Sequence, residues 1–327
     1  MKSWASVLSA RPQLRRYPGW ILGCAMEGGD WLSKSRRWAW ARAKRPFVIP
    51  WLEGVRVWVA GDDQLLKSLF LTGLFEPNEF LLLDRLLRPG MEFVDVGANL
   101  GLYTLFAARK VGMRGVVLAL EPSSREFQKL RANVELNRMS QVRLQQVAAS
   151  DRSTQAELLV AEEERSGHNT LGAFGYGDTL LASKEVVRLE RLDEIVRLEG
   201  LKSVDVIKMD IEGGELFALQ GALRTLQTFH PILLIEMADR SSAGLGSTSA
   251  HVWDFLSGLG YCFCSFGETT GAPVPAVRKE TYDGENLVAI HRECRGFSDG
   301  GDLEFDLAAF CANPNGPENE HSMALKK

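Results

Sequence analysis

From Glu92 onward, short apolar runs alternate with stretches whose apolar positions recur every three or four residues, the pattern of β–α units wound into a largely parallel sheet. EFVDV predicts the first strand and LYTLFAARK its helix, stopped at Gly112. GVVLALE predicts a second strand ending at Glu121, and in SSREFQKLRANVELN the spacing of Ser123 and Glu126 marks a capped helix start. A third strand, VRLQQVAA, ends near Asp151. The pattern then loosens into the Gly-rich, polar QAELLVAEEERSGHNTLGAFGYGD, which predicts a hairpin with a long loop, and long loops in compact α/β domains often carry function. VDVIKM, the helix carrying Leu216, Leu219, Leu223 and Leu226, PILLIEM, the helix around HVWDFLSGLG, and the apolar segments YCFCSF and NLVAI complete the α/β region.

The two ends depart from this pattern. Through Arg45 the chain has ten Lys or Arg against Glu27 and Asp30, and seven of its eight Trp lie at or before Trp58. Residues 1–80 therefore read as a basic, Trp-rich, mostly helical extension and 81–306 as the α/β domain. The polar stretch at 307–327 reads as a disordered tail. The extension reads as a helical layer packed on the domain, as a lid over a substrate pocket, or as a segment seated peripherally on an anionic membrane surface. GWILGCAM, Gly19 to Met26, is too short to span a bilayer, and neither a transmembrane helix nor a signal peptide is expected. The net charge of -4 carries no bulk bias toward nucleic acid, so no nucleic-acid partner is expected. Cys24, Cys262, Cys264, Cys294 and Cys311 lack the paired spacing of a zinc or redox site and read as reduced thiols of a cytoplasmic protein. No dedicated metal spacing occurs, and no metal site is assigned.

The chemistry concentrates in DVGANLGLYT, Asp95 to Thr104, where a strand runs through a glycine turn into a helix. Such a turn offers backbone N–H groups and a helix dipole to an anionic or polar ligand. A dinucleotide fingerprint needs a third glycine where Leu102 stands. Instead Asp95 precedes the turn, and D-x-G-x-N-x-G across Asp95, Gly97, Asn99 and Gly101 suits a ligand that bears an ammonium and lacks a pyrophosphate. Glu121, at the end of the second strand, is placed to accept the hydroxyls of a ribose. Together these groups suggest S-adenosyl-L-methionine as cofactor.

DVGANLGLYT, LEPS, the segment RLDEIVRLEGLKSVDVIKMDIEGGELFALQGA and PILLIEM, with the upstream LFLTGLFEPNEFLLLDRLLRPGMEFVDVGAN, together resemble the FkbM family of S-adenosylmethionine-dependent methyltransferases, over roughly Val55 to Phe266. The resemblance implies a class I methyltransferase fold, Rossmann-like and doubly wound, with a mostly parallel seven-stranded sheet whose last strand is antiparallel. It also implies methylation of a hydroxyl on a sugar, lipid-linked glycan or natural product, so the expected partner is a small-molecule or glycan acceptor.

Further site residues follow from position. Asp151, after the third strand, is a candidate contact for the adenine amino group or a turn cap. Asp210 and Glu212 end a strand at the edge where open α/β sheets bind ligands; Asp210 is assigned near the sulfonium and Glu212 as a base. Glu236 and His168 are further candidate bases, and His168 lies in the long loop. His230 and His251 read as structural. The rival readings are a nicotinamide-dependent oxidoreductase, which lacks its third glycine here, and a non-catalytic methyltransferase-like scaffold.

Overall fold

The computed structural model describes residues 29–293 apart from 44, 60–62, 74 and 268–272. The apolar run at Gly19 to Met26, much of the basic arm and the tail at 307–327 lie outside the described residues. So do Cys24, Cys294 and Cys311; Cys262 and Cys264 are free thiols.

The helix Gly29–Arg42 leads into a two-stranded antiparallel hairpin, β1 (Phe47–Pro50) and β2 (Arg56–Val59), followed by helices Gln64–Thr72 and Pro77–Leu86. Next come β3 (Glu92–Val96), helix Leu102–Val111, β4 (Val116–Leu120), helix Ser124–Leu136 and β5 (Val142–Gln145). A branch leaves the sheet here: β6 (Ala148–Ser150), β7 (Thr154–Ala161) and β8 (Leu181–Arg191) form a separate three-stranded sheet in the order β6-β8-β7. The chain returns with β9 (Val206–Met209), β10 (Ile232–Ala238), β11 (Tyr261–Phe266), β12 (Pro273–Pro275) and β13 (Asp283–His291).

The principal sheet runs β12-β11-β13-β10-β9-β3-β4-β5. β5, β4, β3, β9 and β10 are parallel, and β13 is antiparallel to both β10 and β11. This is the class I methyltransferase arrangement. The sheet has eight strands where seven were expected, because the three-residue β12 pairs antiparallel with the end of β11 as an added edge. Two of its three residues are proline, tolerable only at an edge where no ladder N–H is needed. The expected third strand is also divided: β5 stays in the principal sheet, while β6 leaves it for β8.

Both faces of the sheet are covered, which is why its central strands are almost wholly apolar. On one face Phe93, Val117, Val206 and Leu234 pack under the helix Leu102–Val111 and under the upstream elements, through Leu66, Leu69, Phe80 and Leu83. Phe80 stacks on Tyr103 with centroids 4.6 Å apart and meets Trp51 edge-on at 4.9 Å. The upstream hairpin and helices therefore share the core of the sheet. Trp40 and Trp51 are buried there, whereas Trp38 and Trp58 face solvent. On the other face Val94, Leu118, Ile207 and Ile235 pack against residues of the helices Leu192–Leu198, Glu215–Gln220, Leu223–Phe229 and Ser249–Gly258.

From β3 the chain moves outward to β4 and β5, then re-enters on the opposite side of β3 as β9. This reversal of winding opens a crevice at the carboxyl ends of β3 and β9, the place where open α/β sheets bind ligands. Among the described residues, no helix is long and apolar enough to cross a membrane.

Candidate active site

A cavity of about 420 Å³ occupies that crevice, within the size range of small-molecule sites. Its wall brings together the glycine turn from Val96 to Tyr103, Glu121, the loop at 166–171 with Tyr176, and Lys208, Asp210, Glu212 and Glu236. Leu65, Phe75 and Glu76 reach it from upstream.

The turn is shaped by close approach. Gly97 has φ +81°, and a Cβ there would lie 2.0 Å from the carbonyl oxygen of Asp210, so the end of β3 presses against the end of β9. Gly101, at φ +98°, starts the helix Leu102–Val111 from a left-handed conformation. Asn99 is left-handed too, at φ 49°, a conformation that asparagine tolerates. Its side-chain Oδ1 accepts from the Leu100 N–H at 2.6 Å, so the amide shapes the turn, while its own backbone N–H donates to Glu121 Oε2 at 2.8 Å.

Glu121 Oε1 accepts the Ser123 N–H at 2.9 Å. The carboxyl is thus fixed by one backbone donor from each side, directly across from the glycine turn. Burial pushes it up to about 8, against the pull of those two donors. Asp95 lies behind the turn and not in the cavity wall: it is buried, accepts from Thr104 Oγ1 at 2.5 Å, and is raised to about 6 by burial. Asp95, assigned from sequence to an ammonium, thus stands outside the cavity wall, and its side chain organises the start of the helix. Asp151 also stands apart from the cavity. Arg152 binds its two oxygens at 2.8 and 2.9 Å and holds it below the usual carboxylate range; Ala148 and Ala149 line the cavity in that region.

The opposite wall is acidic. Lys208 is a single charged residue inside the apolar run of β9, level with Asp95 on β3. Its side chain is only 2% exposed, and its Nζ donates to Asp210 Oδ2 at 2.8 Å. Burial opposes the ammonium, but Asp210, Glu76 and Asp95 together raise its pKa above the ordinary lysine value. Asp210 is held low: burial works against its charge and Lys208 overrides it. Glu236, on β10, is hydrogen-bonded with Asp210; the Asp210 charge first, then burial, pushes Glu236 up to about 10. At neutral pH, then, Asp210 is the carboxylate and Glu236 the carboxylic acid. Glu212, left-handed at φ 51°, accepts from Ser241 Oγ at 2.6 Å, and burial followed by Asp210 raises it to about 7.

The long loop closes over this wall and is pinned at several points. Thr170 Oγ1 donates to the Glu212 carbonyl at 2.8 Å, the Ala161 N–H donates to Asn169 Oδ1 at 2.8 Å, and Ser166 Oγ donates to Asp63, the N-cap of helix Gln64–Thr72. His168 stacks on Tyr176 at 4.2 Å, and its Nδ1 is 2.7 Å from Thr179 Oγ1. Burial and then Arg165 lower the imidazole below its ordinary value, so it is neutral at pH 7 with Nε2 uncommitted by that contact. Arg240 lies 4.3 Å over the ring of Tyr176.

Of the residues assigned from sequence, Gly97, Asn99, Gly101, Glu121, His168, Asp210 and Glu212 meet around one cavity. Glu76, Tyr103, Tyr176 and Lys208 join them and were not singled out. Lys208 left a signal, one cation in an otherwise apolar strand; Tyr176 sits between two glycines of the loop. Glu76 left only a Glu-Pro helix start. Among the described residues, the grouping of His, Asp or Glu with ligand atoms all within 4.8 Å is His230, His291 and Glu293, remote from the cavity wall. There the two rings stack at 3.7 Å, and His291 Nε2 meets the Leu259 carbonyl.

A family model described as Methyltransferase FkbM domain matches residues 95–263, just over half of the chain. The chain belongs to the FkbM methyltransferase family. That match begins at Asp95, so the FkbM domain contains the glycine turn, Glu121 and the acidic wall, while Leu65, Phe75 and Glu76 lie upstream of it. Methyltransferase sdnD of Sordaria araneosa is 31% identical over 157 residues, 39% of this chain and 59% of that protein. Methyltransferase 1 of Beauveria bassiana is 29% identical over 143 residues, 39% of this chain and 57% of that protein. The alignments thus span under three-fifths of these curated relatives. Among solved structures, methyltransferase FkbM from Methylobacillus flagellatus KT is similar at 16% identity and TM-score 0.40, covering 71% of this chain and 56% of that one. An O-methyltransferase from Bacillus cereus in complex with SAH is similar at 14% identity and TM-score 0.38, covering 66% and 79%.

Proposed function

We propose that this chain is an S-adenosylmethionine-dependent O-methyltransferase acting on a hydroxyl of a sugar, lipid-linked glycan or natural product. The observation that carries the reading is Glu121, whose carboxyl is aimed across the glycine turn by the N–H groups of Asn99 and Ser123. A carboxyl fixed at the end of the second strand of a doubly wound sheet suits the vicinal hydroxyls of a ribose. The close turn at Gly97 and Gly101, the substitution of Leu102 for a third glycine and the acidic far wall suit a cationic adenosine derivative better than a pyrophosphate.

The residues fit that cofactor, with Gly97, Asn99, Gly101 and Glu121 as its cradle. S-adenosylmethionine supplies a methyl already activated by a sulfonium leaving group. The protein then has to align the acceptor and take up one proton. Glu212 is the base best matched to this task, since its carboxyl titrates near 7, Ser241 holds one of its oxygens and the other is left for an acceptor hydroxyl. His168, neutral and uncommitted at Nε2, is a hydrogen-bond partner from the facing loop. Glu236 carries a proton at neutral pH and serves as a donor, which removes it from the bases considered from sequence. Asp210, ionised by Lys208, presents fixed negative charge beside the transfer path.

Calorimetric titration with S-adenosylhomocysteine tests the cofactor assignment: saturable 1:1 binding supports it, and heat no different from dilution refutes it. Transfer of labelled methyl from S-adenosylmethionine into separated glycan, lipid, small-molecule and protein fractions of a lysate then identifies the acceptor class. Label confined to the protein fraction would contradict a glycan or natural-product acceptor.

A further inference from the structure

Glu76 reaches the cavity in a conformation that its neighbour disfavours. It sits at φ 38°, ψ 63°, directly before Pro77, whose ring crowds helical conformations of the preceding residue. Both of its carboxylate oxygens are anchored from distant parts of the chain. Tyr103 Oη donates to Oε2, and Asn286 Nδ2 donates to Oε1 at 3.2 Å. The first donor rides on the helix after the glycine turn and the second on β13.

The contacts continue inward. The ring of Tyr103 carries the Lys208 ammonium 4.8 Å from its centroid, and that ammonium donates to Asp210 Oδ2. A lysine so deeply buried needs counter-charge, and Asp210, Glu76 and Asp95 provide it. Glu76 thus acts on Lys208 by holding the ring that carries the ammonium, while burial raises Glu76 itself and the nearby Lys208 pulls it back down.

We propose that Glu76, supplied from upstream of the matched domain, is a positioning residue of the transfer site that acts through Tyr103 and Lys208 to fix the Asp210 carboxylate toward the cavity. The proposal rests on reading the cavity as a methyl-transfer site. It makes the upstream segment a working part of that site and not only a cover for the sheet. Were Glu76 merely a staple for the helix Pro77–Leu86, its charge would be dispensable once its size and one acceptor oxygen were kept.

Glu76→Gln makes that distinction. In protein labelled with ¹⁵N-lysine, the buried Lys208 ammonium is expected to give a slowly exchanging resonance, assigned by its disappearance in Lys208→Arg. Glu76→Gln and Tyr103→Phe are each expected to shift or broaden it. In both variants, S-adenosylhomocysteine affinity is expected to stay within about two-fold, while the rate of labelled methyl transfer into the active lysate fraction falls at least ~10-fold. A folded Glu76→Gln protein with an unmoved Lys208 resonance overturns the proposal. So does a loss of cofactor affinity that follows a lowered Tm with no separate change in the resonance. If Glu76→Gln does not fold, Tyr103→Phe decides by the same readouts. Failure of the wild-type protein to bind S-adenosylhomocysteine would defeat the methyltransferase reading, and the lysine resonance would still decide the role of Glu76.

Discussion

Glu121 is buried and Glu212 half-buried, both carboxyls have raised pKa values, and their partners separate their roles. Glu121 faces two backbone donors that cannot move away, so Glu121→Gln must turn an amide N–H toward one of them or leave an oxygen position empty. Leaving a buried polar group without its partner costs about 1–3 kcal/mol, so this variant is expected to bind S-adenosylhomocysteine ~10- to 100-fold more weakly by calorimetry. Unchanged affinity would remove Glu121 from the ribose site. Glu212 accepts from the Ser241 hydroxyl through one oxygen and faces the cavity. As a base it must be ionised, so the transfer rate at saturating cofactor is expected to rise with pH through about 7. Glu212→Gln is expected to abolish that rise and lower the rate by ~10²–10⁴. A pH profile that survives in Glu212→Gln would assign the base to His168.

Gly97 shows how much of the site depends on elements approaching closely. Alanine there would place a methyl 2.0 Å from the Asp210 carbonyl at a backbone angle unfavourable to any L side chain. Gly97→Ala is therefore expected to cost more than ~2 kcal/mol in stability and to abolish cofactor binding, measurable by denaturant unfolding and titration. A variant as stable and as tightly binding as wild type would contradict the packing of β3 on β9. This strand–turn–helix unit was legible in the sequence because it is local: an apolar run, a glycine turn and a helical period follow one another within twenty residues. Strand β7 and the long loop after it were legible for the same reason, whereas its hairpin partner β8, Leu181–Arg191, lies beyond the stretch read as the hairpin. Other features depended on contacts that periodicity does not carry. β12 is three residues long and mostly proline, too short to show a period, and the departure of β6 is set by its pairing with β8 some forty residues later. Glu76 was hidden most completely, since its partners Tyr103 and Asn286 lie 27 and 210 residues away.

Across the whole molecule burial, joined at Glu236 by the Asp210 charge, keeps five carboxyls above their ordinary values: in the cavity wall Glu212 near 7, Glu121 near 8 and Glu236 near 10, behind the turn Asp95 near 6, and beside Glu76, sharing its donor Asn286, Glu79 near 7. The sign of the linkage follows directly. Because these groups hold protons more tightly folded than unfolded, the stability they permit is complete below the ordinary carboxylate range and is lost as pH rises through their folded values, from about 6 to about 10. Asp210, held low, stays ionised across this range, while His168 and His291, which burial keeps below their ordinary values, run the other way, two groups against five. The ligand-free protein is accordingly expected to have a higher Tm at pH 5.5 than at pH 8.5, and the reverse order in thermal melts would show that the carboxyls are not buried as described. The wall where Asp210 keeps its charge among carboxyls, facing a turn without its third glycine, is the basis for choosing a sulfonium-bearing adenosine over a nicotinamide dinucleotide. The most direct test is parallel calorimetric titration of the full chain with S-adenosylhomocysteine and with NAD. Saturable binding of S-adenosylhomocysteine and none of NAD is the predicted result; binding of NAD alone would contradict the account.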